Sequence, residues 1–498
     1  MCLSMFMVML DGTVVNVALP TIQKDLDASI STLEWTVNGY TLALAALLIT
    51  GGRLGDLFGR RRLFMAGAGL FAAASATAGL AQDIDMLVAS RFAEGIGAAL
   101  MLPATLSIIT NAFPAEERGR AIGVWAGISA LALSIGPLVG GFLTEQISWR
   151  AIFYINVPIG VLAVVAAMRV VRESTDPHAE RSIDYGGVIA VGAGLVALVL
   201  ALVQANTWGW GSPRVVTLLV AALVLLALFA VIERRIRVPM LDLPLFRNRT
   251  FVGANTVAFV ISFAMTGVFF FFSLYMQEIL DYSPFDAELR FLPATLAMAL
   301  ISPLAGRMAD RVGSRLPMVV GLVVTAGSMY ALSTVKVDTS YSTLALPFLA
   351  LGVGIALTMS PMSTAAMGAV PEAKAGVASG VLSSARFVGG TFGVAVLGAI
   401  FQGGVTSKVD QELASFPASV RDEVSSEVVG QTSSPPAGLD PAQIREITAA
   451  AHDAFVSGLA SSFRVASAIA LAGAVLALIL IRTRRATHAR PIPAVAGG

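Results

Sequence analysis

The sequence predicts an all-helical protein that crosses a membrane many times. Three observations carry that reading. Hydrophobic residues make up 56% of the chain and charged residues 13%, where soluble domains carry about 25% charged. Roughly fourteen apolar runs have the length of ~20 residues that a span needs. A short loop rich in glycine and arginine recurs in the second part of the chain, which suggests a duplicated helical bundle.

The apolar runs lie near 2–21, 36–55, 64–81, 86–110, 119–143, 151–169, 184–203, 214–232, 251–275, 288–308, 316–334, 342–368, 377–401 and 457–481. The first reaches Ile22, carries Asp11 and has no small-residue cleavage site. It is therefore read as a span rather than a signal peptide. With the first end inside, the even-numbered connections hold Arg60, Arg61 and Arg62, then Arg118, Arg120, Arg169, Arg172, Arg181, Arg234, Arg235, Arg237, Arg247, Arg249, Arg307, Arg311, Arg315 and Lys374. The tail adds Arg482, Arg484, Arg485 and Arg490, whereas the other connections carry acids such as Glu278, Asp281 and Asp286. Basic residues collect on the cytoplasmic side, so both termini are expected there.

The repeated loop follows the second and the tenth span. Two six-span halves would place it after the second and the eighth, so two additional spans lie between the halves. The expected organisation is a six-helix bundle over 1–170, two added helices within 183–232, and a second six-helix bundle over 251–481. The added pair is rich in Val, Leu and Ala and is expected to face lipid. Its outer hairpin, Trp208-Gly209-Trp210, fits an interfacial anchor. A long outer loop covers 403–455. There Val405, Val409, Leu413 and Phe416, and again Ile444, Ile447 and Ala451, recur at helical spacing. They predict two amphipathic segments on the outer surface, with Pro435-Pro436 between them. A disordered centre is the alternative.

No pattern points to an enzyme. P-loops and paired histidines are absent, and His178, His452 and His488 are far apart, so no metal site is expected. Cys2 is the only cysteine and excludes an intrachain disulfide. A net charge of +1 gives no case for nucleic acid, because the charges are sorted by side of the membrane.

The loop itself reads Gly52-Arg53-Leu54-Gly55-Asp56-Leu57-Phe58-Gly59-Arg60-Arg61-Arg62. Gly306, Asp310 and Gly313 repeat Gly52, Asp56 and Gly59 at one offset. Glycines allow a tight turn and close helix ends. Asp56 either offsets its basic neighbours, caps the next helix or has a role in gating.

Ionisable groups within spans are costly and therefore informative. Asp11 lies near the middle of the first span, followed by Thr13 and Asn16. Arg91 and Glu94 share one face of the fourth span and can pair. Each of these can be a structural ion pair or a proton site. Arg386 in the thirteenth span is either a buried counter-ion or a snorkelling side chain; Arg464, nearer a helix end, is expected to snorkel. In the fifth span, Gly136-Pro137-Leu138-Val139-Gly140-Gly141 predicts a bent, closely packed helix.

Together these segments resemble the major facilitator superfamily, and within it the fourteen-span drug:proton antiporters, the DHA2 group. The 52–62 loop resembles that family's motif A, with 306–315 as its second-half counterpart. Leu10 to Pro20 resembles motif D1, Arg91 to Gly97 motif B, and Gly136 to Gly141 motif C. Ala132 stands where motif C begins with glycine, and Glu94 where motif B often has an amide. The resemblance implies a proton-coupled efflux transporter in a bacterial plasma membrane. It would export hydrophobic, often cationic, compounds with no cofactor besides the proton gradient, and is expected to be monomeric. It implies proton coupling at Asp11, Arg91 and Glu94, and a substrate cavity that includes Asn16, Asn38, Tyr40 and Arg386. Gly52, Asp56, Gly59, Arg60, Arg61, Gly306, Asp310 and Gly313 would form the gate, with the helix bend at Gly136, Pro137, Gly140 and Gly141. A uniporter or symporter of a small metabolite on the same fold is the alternative.

Overall fold

A computed structural model describes residues 1–176, 182–428 and 440–482. Arg181, Pro435-Pro436 and the tail arginines Arg484, Arg485 and Arg490 lie outside the described residues. Those described form α-helices joined by short turns, with no β-strand among them. The first group is α1 (Cys2–Asp25), α2 (Ile30–Phe58), α3 (Arg60–Gly79), α4 (Ile84–Ala112), α5 (Arg118–Gln146), α6 (Ala151–Tyr154) and α7 (Asn156–Val170). Next come α8 (Tyr185–Trp208) and α9 (Pro213–Arg235). The last group is α10 (Arg249–Leu274), α11 (Pro284–Arg290), α12 (Leu292–Val312), α13 (Arg315–Leu332), α14 (Tyr341–Gly368), α15 (Ala375–Glu412), α16 (Ala418–Val428) and α17 (Pro441–Leu480).

Local chemistry sets the helix ends. Asp83, Asn248 and Asp440 accept backbone N–H bonds at the starts of α4, α10 and α17, where side-chain oxygens satisfy donors that have no partner within the helix. Gly59 and Gly313 have φ of +112° and +85° and turn α2 into α3 and α12 into α13. That left-handed backbone is easy only for glycine. Both turns lie at one end of the bundle with the loop arginines; this is called the basic end below, and the opposite one the far end.

By length and composition, thirteen of the described helices can cross a membrane, α6 and α7 counting as one. The expected span 64–81 is α3, which that count leaves out. It begins with Arg60-Arg61-Arg62 and is largely Ala and Gly, yet it packs between α4 and α7 and completes the first group.

Two expectations change. The added pair does not face lipid as a unit. α9 is largely exposed, with Val220, Leu223, Val224 and Leu228 on its outer face. α8 instead packs against α2 and α15, and Asn206 Nδ2 donates to the Ala395 carbonyl at 3.4 Å. The amphipathic segments of 403–455 do not form separate surface helices. The first continues α15 to Glu412 and the second opens α17 at Pro441. Val405, Val409 and Leu413 are fully buried in one apolar cluster with Phe455, Leu459 and Val424 of α16. Pairing their apolar faces with each other buries more surface than laying each on an interface.

Candidate functional site

Five helices meet at one buried ion cluster. Asp11 on α1 and Arg91 and Glu94 on α4 are each 1% exposed or less. Arg91 Nη1 donates to Asp11 Oδ2 at 2.6 Å and also to Glu94 Oε2. Its Nε donates to the Thr36 carbonyl on α2 at 3.0 Å, and its guanidinium carbon lies 4.4 Å from the Tyr40 ring centre. Ser75 on α3 donates its hydroxyl to Glu94 Oε1 at 2.5 Å. Asn156, at the start of α7, donates to Asp11 Oδ1 at 3.0 Å. The spacing of three residues puts Arg91 and Glu94 on one helix face, while Asp11 arrives from a distant part of the chain.

The charge balance of this cluster is unequal. One guanidinium faces two carboxylates, a formal charge of −1 in a site removed from water. Each acid accepts from Arg91 and from one neutral donor, and no second cation reaches either among the described residues. Adding one proton to the pair makes the cluster neutral. Burial opposes an uncompensated charge strongly, so the two acids share one charge balance through Arg91.

Two of the motif C glycines bring α5 onto α1 beside Asp11. A methyl added at Gly136 would lie 1.9 Å from Thr13 Oγ1, and one at Gly140 would lie 3.1 Å from Val14 Cα. Gly141 faces open space, so it is not part of the packed face. Pro137 sits inside α5 without interrupting it.

The repeated loops form two latches across the interface between the helix groups. Asp56 is a residue of α2, fully buried, and accepts from Gly376 N and Val377 N at 2.9 Å each. It caps a helix, but that helix is α15 rather than its own neighbour α3. Arg60 donates to Asp56 Oδ1 through Nε at 2.9 Å and Nη2 at 2.7 Å, and to the Glu372 and Ala373 carbonyls at 2.8 Å each. Asp310 on α12 accepts from Gly119 N at 2.8 Å and Arg120 N at 3.0 Å, at the start of α5. Bare helix N–H groups and the positive helix end suit a carboxylate at both places. Glycines let the helices touch: a methyl at Gly52 would lie 2.3 Å from the Gly376 carbonyl oxygen, and one at Gly306 1.9 Å from that of Gly119. Arg118 also pairs with Glu372 across the interface. The basic end is therefore closed. Arg61 is not part of the latch; its guanidinium bonds the Val171 carbonyl at 3.1 Å and its amide bonds Glu173.

The remaining expected positions are less connected. Asn16 is exposed and bonds only its own helix, at the Gly12 carbonyl. Asn38 is half-buried, and Tyr40 is buried under Arg91. Arg386 is half-buried with its guanidinium carbon 5.8 Å from the Trp125 ring centre, and it meets no counter-ion among the described residues. Arg464 is exposed on α17. Sequence reasoning missed Thr36, Ser75, Asn156 and the amides of Gly376 and Gly119. A polar side chain inside an apolar span was the available signal for the first three.

Residues 1–394 match the Major Facilitator Superfamily. The chain belongs to the major facilitator superfamily. It is 35% identical to the tetracenomycin C resistance and export protein of Streptomyces glaucescens, over 99% of this chain and 93% of that one. It is 39% identical to the puromycin resistance protein pur8 of Streptomyces alboniger, over 80% of each. Among solved structures, the proton:xylose symporter XylE superposes with a TM-score of 0.60 over 97% of this chain and 94% of that one. At 14% identity that likeness shows the fold alone. The superfamily and its fold are those of transporters, not enzymes.

Proposed function

We propose that the protein exports hydrophobic, drug-like compounds across a bacterial plasma membrane in exchange for protons. The resistance and export proteins that share a third or more of its sequence support the direction and the substrate type. The observation that carries the coupling is the charge count at Arg91. A cluster one proton short of neutrality has two protonation states of different cost, and a change of access alters that cost. When the cluster opens to the side rich in protons, Asp11 or Glu94 takes one up. Its net charge falls, its hold on Arg91 loosens, and the helices of the first group are free to shift. Alternating access follows if substrate and proton each favour a different state. In this reading the basic end is cytoplasmic and the latches close it in the outward-open state. A single chain holds the ion cluster and both latches, so a monomer suffices.

The test is substrate-driven proton movement in energised inverted vesicles. Wild-type protein should release protons when a transported drug is added. Asp11→Asn keeps the shape, removes one acid and leaves the cluster neutral without a proton; it should abolish drug-driven proton release while the protein stays in the membrane at normal level. Full proton exchange by Asp11→Asn would show that the coupling lies elsewhere. Glu288 on α11, outside the spans, has its carboxyl pushed up to about 7 by burial, so pH profiles should be taken in a Glu288→Gln background.

A further inference from the structure

Two arginines are fully buried among the described residues, and both are neutralised. Arg91 meets Asp11 and Glu94, and Arg60 meets Asp56. Arg386, half-buried in the middle of α15, is not neutralised. It lies about 16 Å along α15 from Ala375 at the helical rise of ~1.5 Å per residue, near the middle of a ~30 Å hydrocarbon layer. Among the described residues it makes no ion pair and no hydrogen bond; its one assigned contact is the Trp125 ring. Trp125 belongs to α5 of the first group and Arg386 to α15 of the last. The pair therefore bridges the interface where a transported molecule must pass.

Trp125 is 4% exposed, and its indole Nε1 has no acceptor among the described residues. The interface thus presents a cation and a neutral donor side by side. Neither can accept a hydrogen bond: guanidinium carries only donors, and so does indole nitrogen. The acids in nearby helices are already engaged, Asp11 and Glu94 within the spans by Arg91, and at the basic end Asp56 by Arg60 and Asp310 by the α5 amides. A charge left alone at this depth costs several kcal/mol or more, so what enters should supply the missing partner.

We propose that Arg386 and Trp125 form the recognition site for an acidic aromatic substrate, one with a phenolate, enolate or carboxylate oxygen on a flat ring system. The guanidinium fork pairs with that oxygen in bidentate fashion, and the Trp125 N–H supplies a further donor beside it. A lipophilic cation would meet like charge and no acceptor. This rests on the efflux reading above and names its substrate class.

Two xanthene dyes separate the cases, because carboxyfluorescein is anionic and rhodamine 123 cationic on the same tricyclic body. Their efflux is measured from cells of a pump-deficient host. Wild-type protein should export carboxyfluorescein at least about tenfold faster than rhodamine 123, equivalent to roughly 1.4 kcal/mol of discrimination. Arg386→Gln should lose most carboxyfluorescein export, Arg386→Lys should retain a part of it, and Trp125→Phe should lower it less than Arg386→Gln. Arg386→Glu should gain rhodamine 123 export, a gain that misfolding cannot produce. Export of rhodamine 123 in preference by the wild type, unchanged by Arg386→Gln, would overturn the substrate class and leave the efflux reading standing. Export of neither dye, nor of any drug in a resistance panel, with the protein present in the membrane would overturn both.

Discussion

The two latches at the basic end use the same backbone device with different reinforcement. In each, a carboxylate from the end of one helix accepts two amide N–H bonds at the start of a helix in the other group. In each, facing glycines let the backbones touch. The first adds Arg60, four residues on from Asp56, which neutralises the acid and bonds two carbonyls ahead of α15. At the matching offset the second has Ser314, and among the described residues Asp310 accepts only from the Gly119 and Arg120 amides. Asp56 is accordingly fully buried and Asp310 half-buried. A duplicated loop has thus kept the helix-end geometry on both sides and concentrated the ionic part on one.

The largest expected effect follows from that inequality. Asp56→Asn strands Arg60 as a buried cation, and breaking a buried pair costs about 3–5 kcal/mol. Asp310→Asn removes only a favourable helix-end charge, worth about 0.3–2 kcal/mol. Since the latch exists only when the basic end is closed, the population should shift toward the open form, far more for Asp56→Asn. Efflux should fall sharply for Asp56→Asn and mildly for Asp310→Asn, while equilibrium binding of a fluorescent substrate changes less than about tenfold. Equal losses from the two variants would break the comparison. A loss of binding in step with efflux would mean that Asp56 supports the fold instead.

Much of this was legible in the chain. The apolar runs are read from local composition, and the repeated Gly–Asp–Gly order is local too, so the helical, many-span character and both latch acids were visible, although α15 and α17 extend well beyond the expected spans. Arg91 and Glu94 could be paired because helical spacing fixes their shared face. The rest depends on packing. Nothing in the sequence around Asp56 indicates that its partners are the amides of Gly376 and Val377, because a backbone N–H has no sequence signature. Ser75 and Asn156 were hidden for a related reason: small polar residues are common in spans, and only the meeting of α1, α3, α4 and α7 selects these two. The lipid-facing assignment of α8 failed because a uniformly apolar helix has no stripe to show which face is buried.

The glycine contacts should behave alike where the acids do not. Gly52→Ala and Gly306→Ala each drive a methyl into a backbone carbonyl of the opposite group. Backbone cannot rotate aside as a side chain can, and overpacking of this kind costs about 1–3 kcal/mol. Both variants should open the basic end by similar amounts, read as increased labelling of a single cysteine placed at the interface in a Cys2→Ser background. Gly141→Ala, which meets open space, is the control and should label as the parent does. A large difference between the Gly52 and Gly306 variants would show that the two contacts do not close together.

The smallest effect is the most specific. If Arg60 alone distinguishes the latches, placing arginine at the matching position should make the second more like the first. Ser314→Arg puts a guanidinium four residues on from Asp310, in the spacing that Asp56 and Arg60 use. The Ser314 hydroxyl accepts no backbone N–H bond at the start of α13, so its loss costs little there. Asp310 is half-buried and partly screened, and such a pair is worth about 0.3–1 kcal/mol. The closed form should gain by a factor of roughly two to five. In the parent this should slow turnover slightly. In the Asp56→Asn background it should recover part of the lost efflux and reduce cysteine labelling, and high salt should weaken that recovery. Ser314→Gln, of comparable reach without charge, should recover nothing. If it recovers as much as arginine, the added side chain acts by packing, and the difference between the latches is not one of charge.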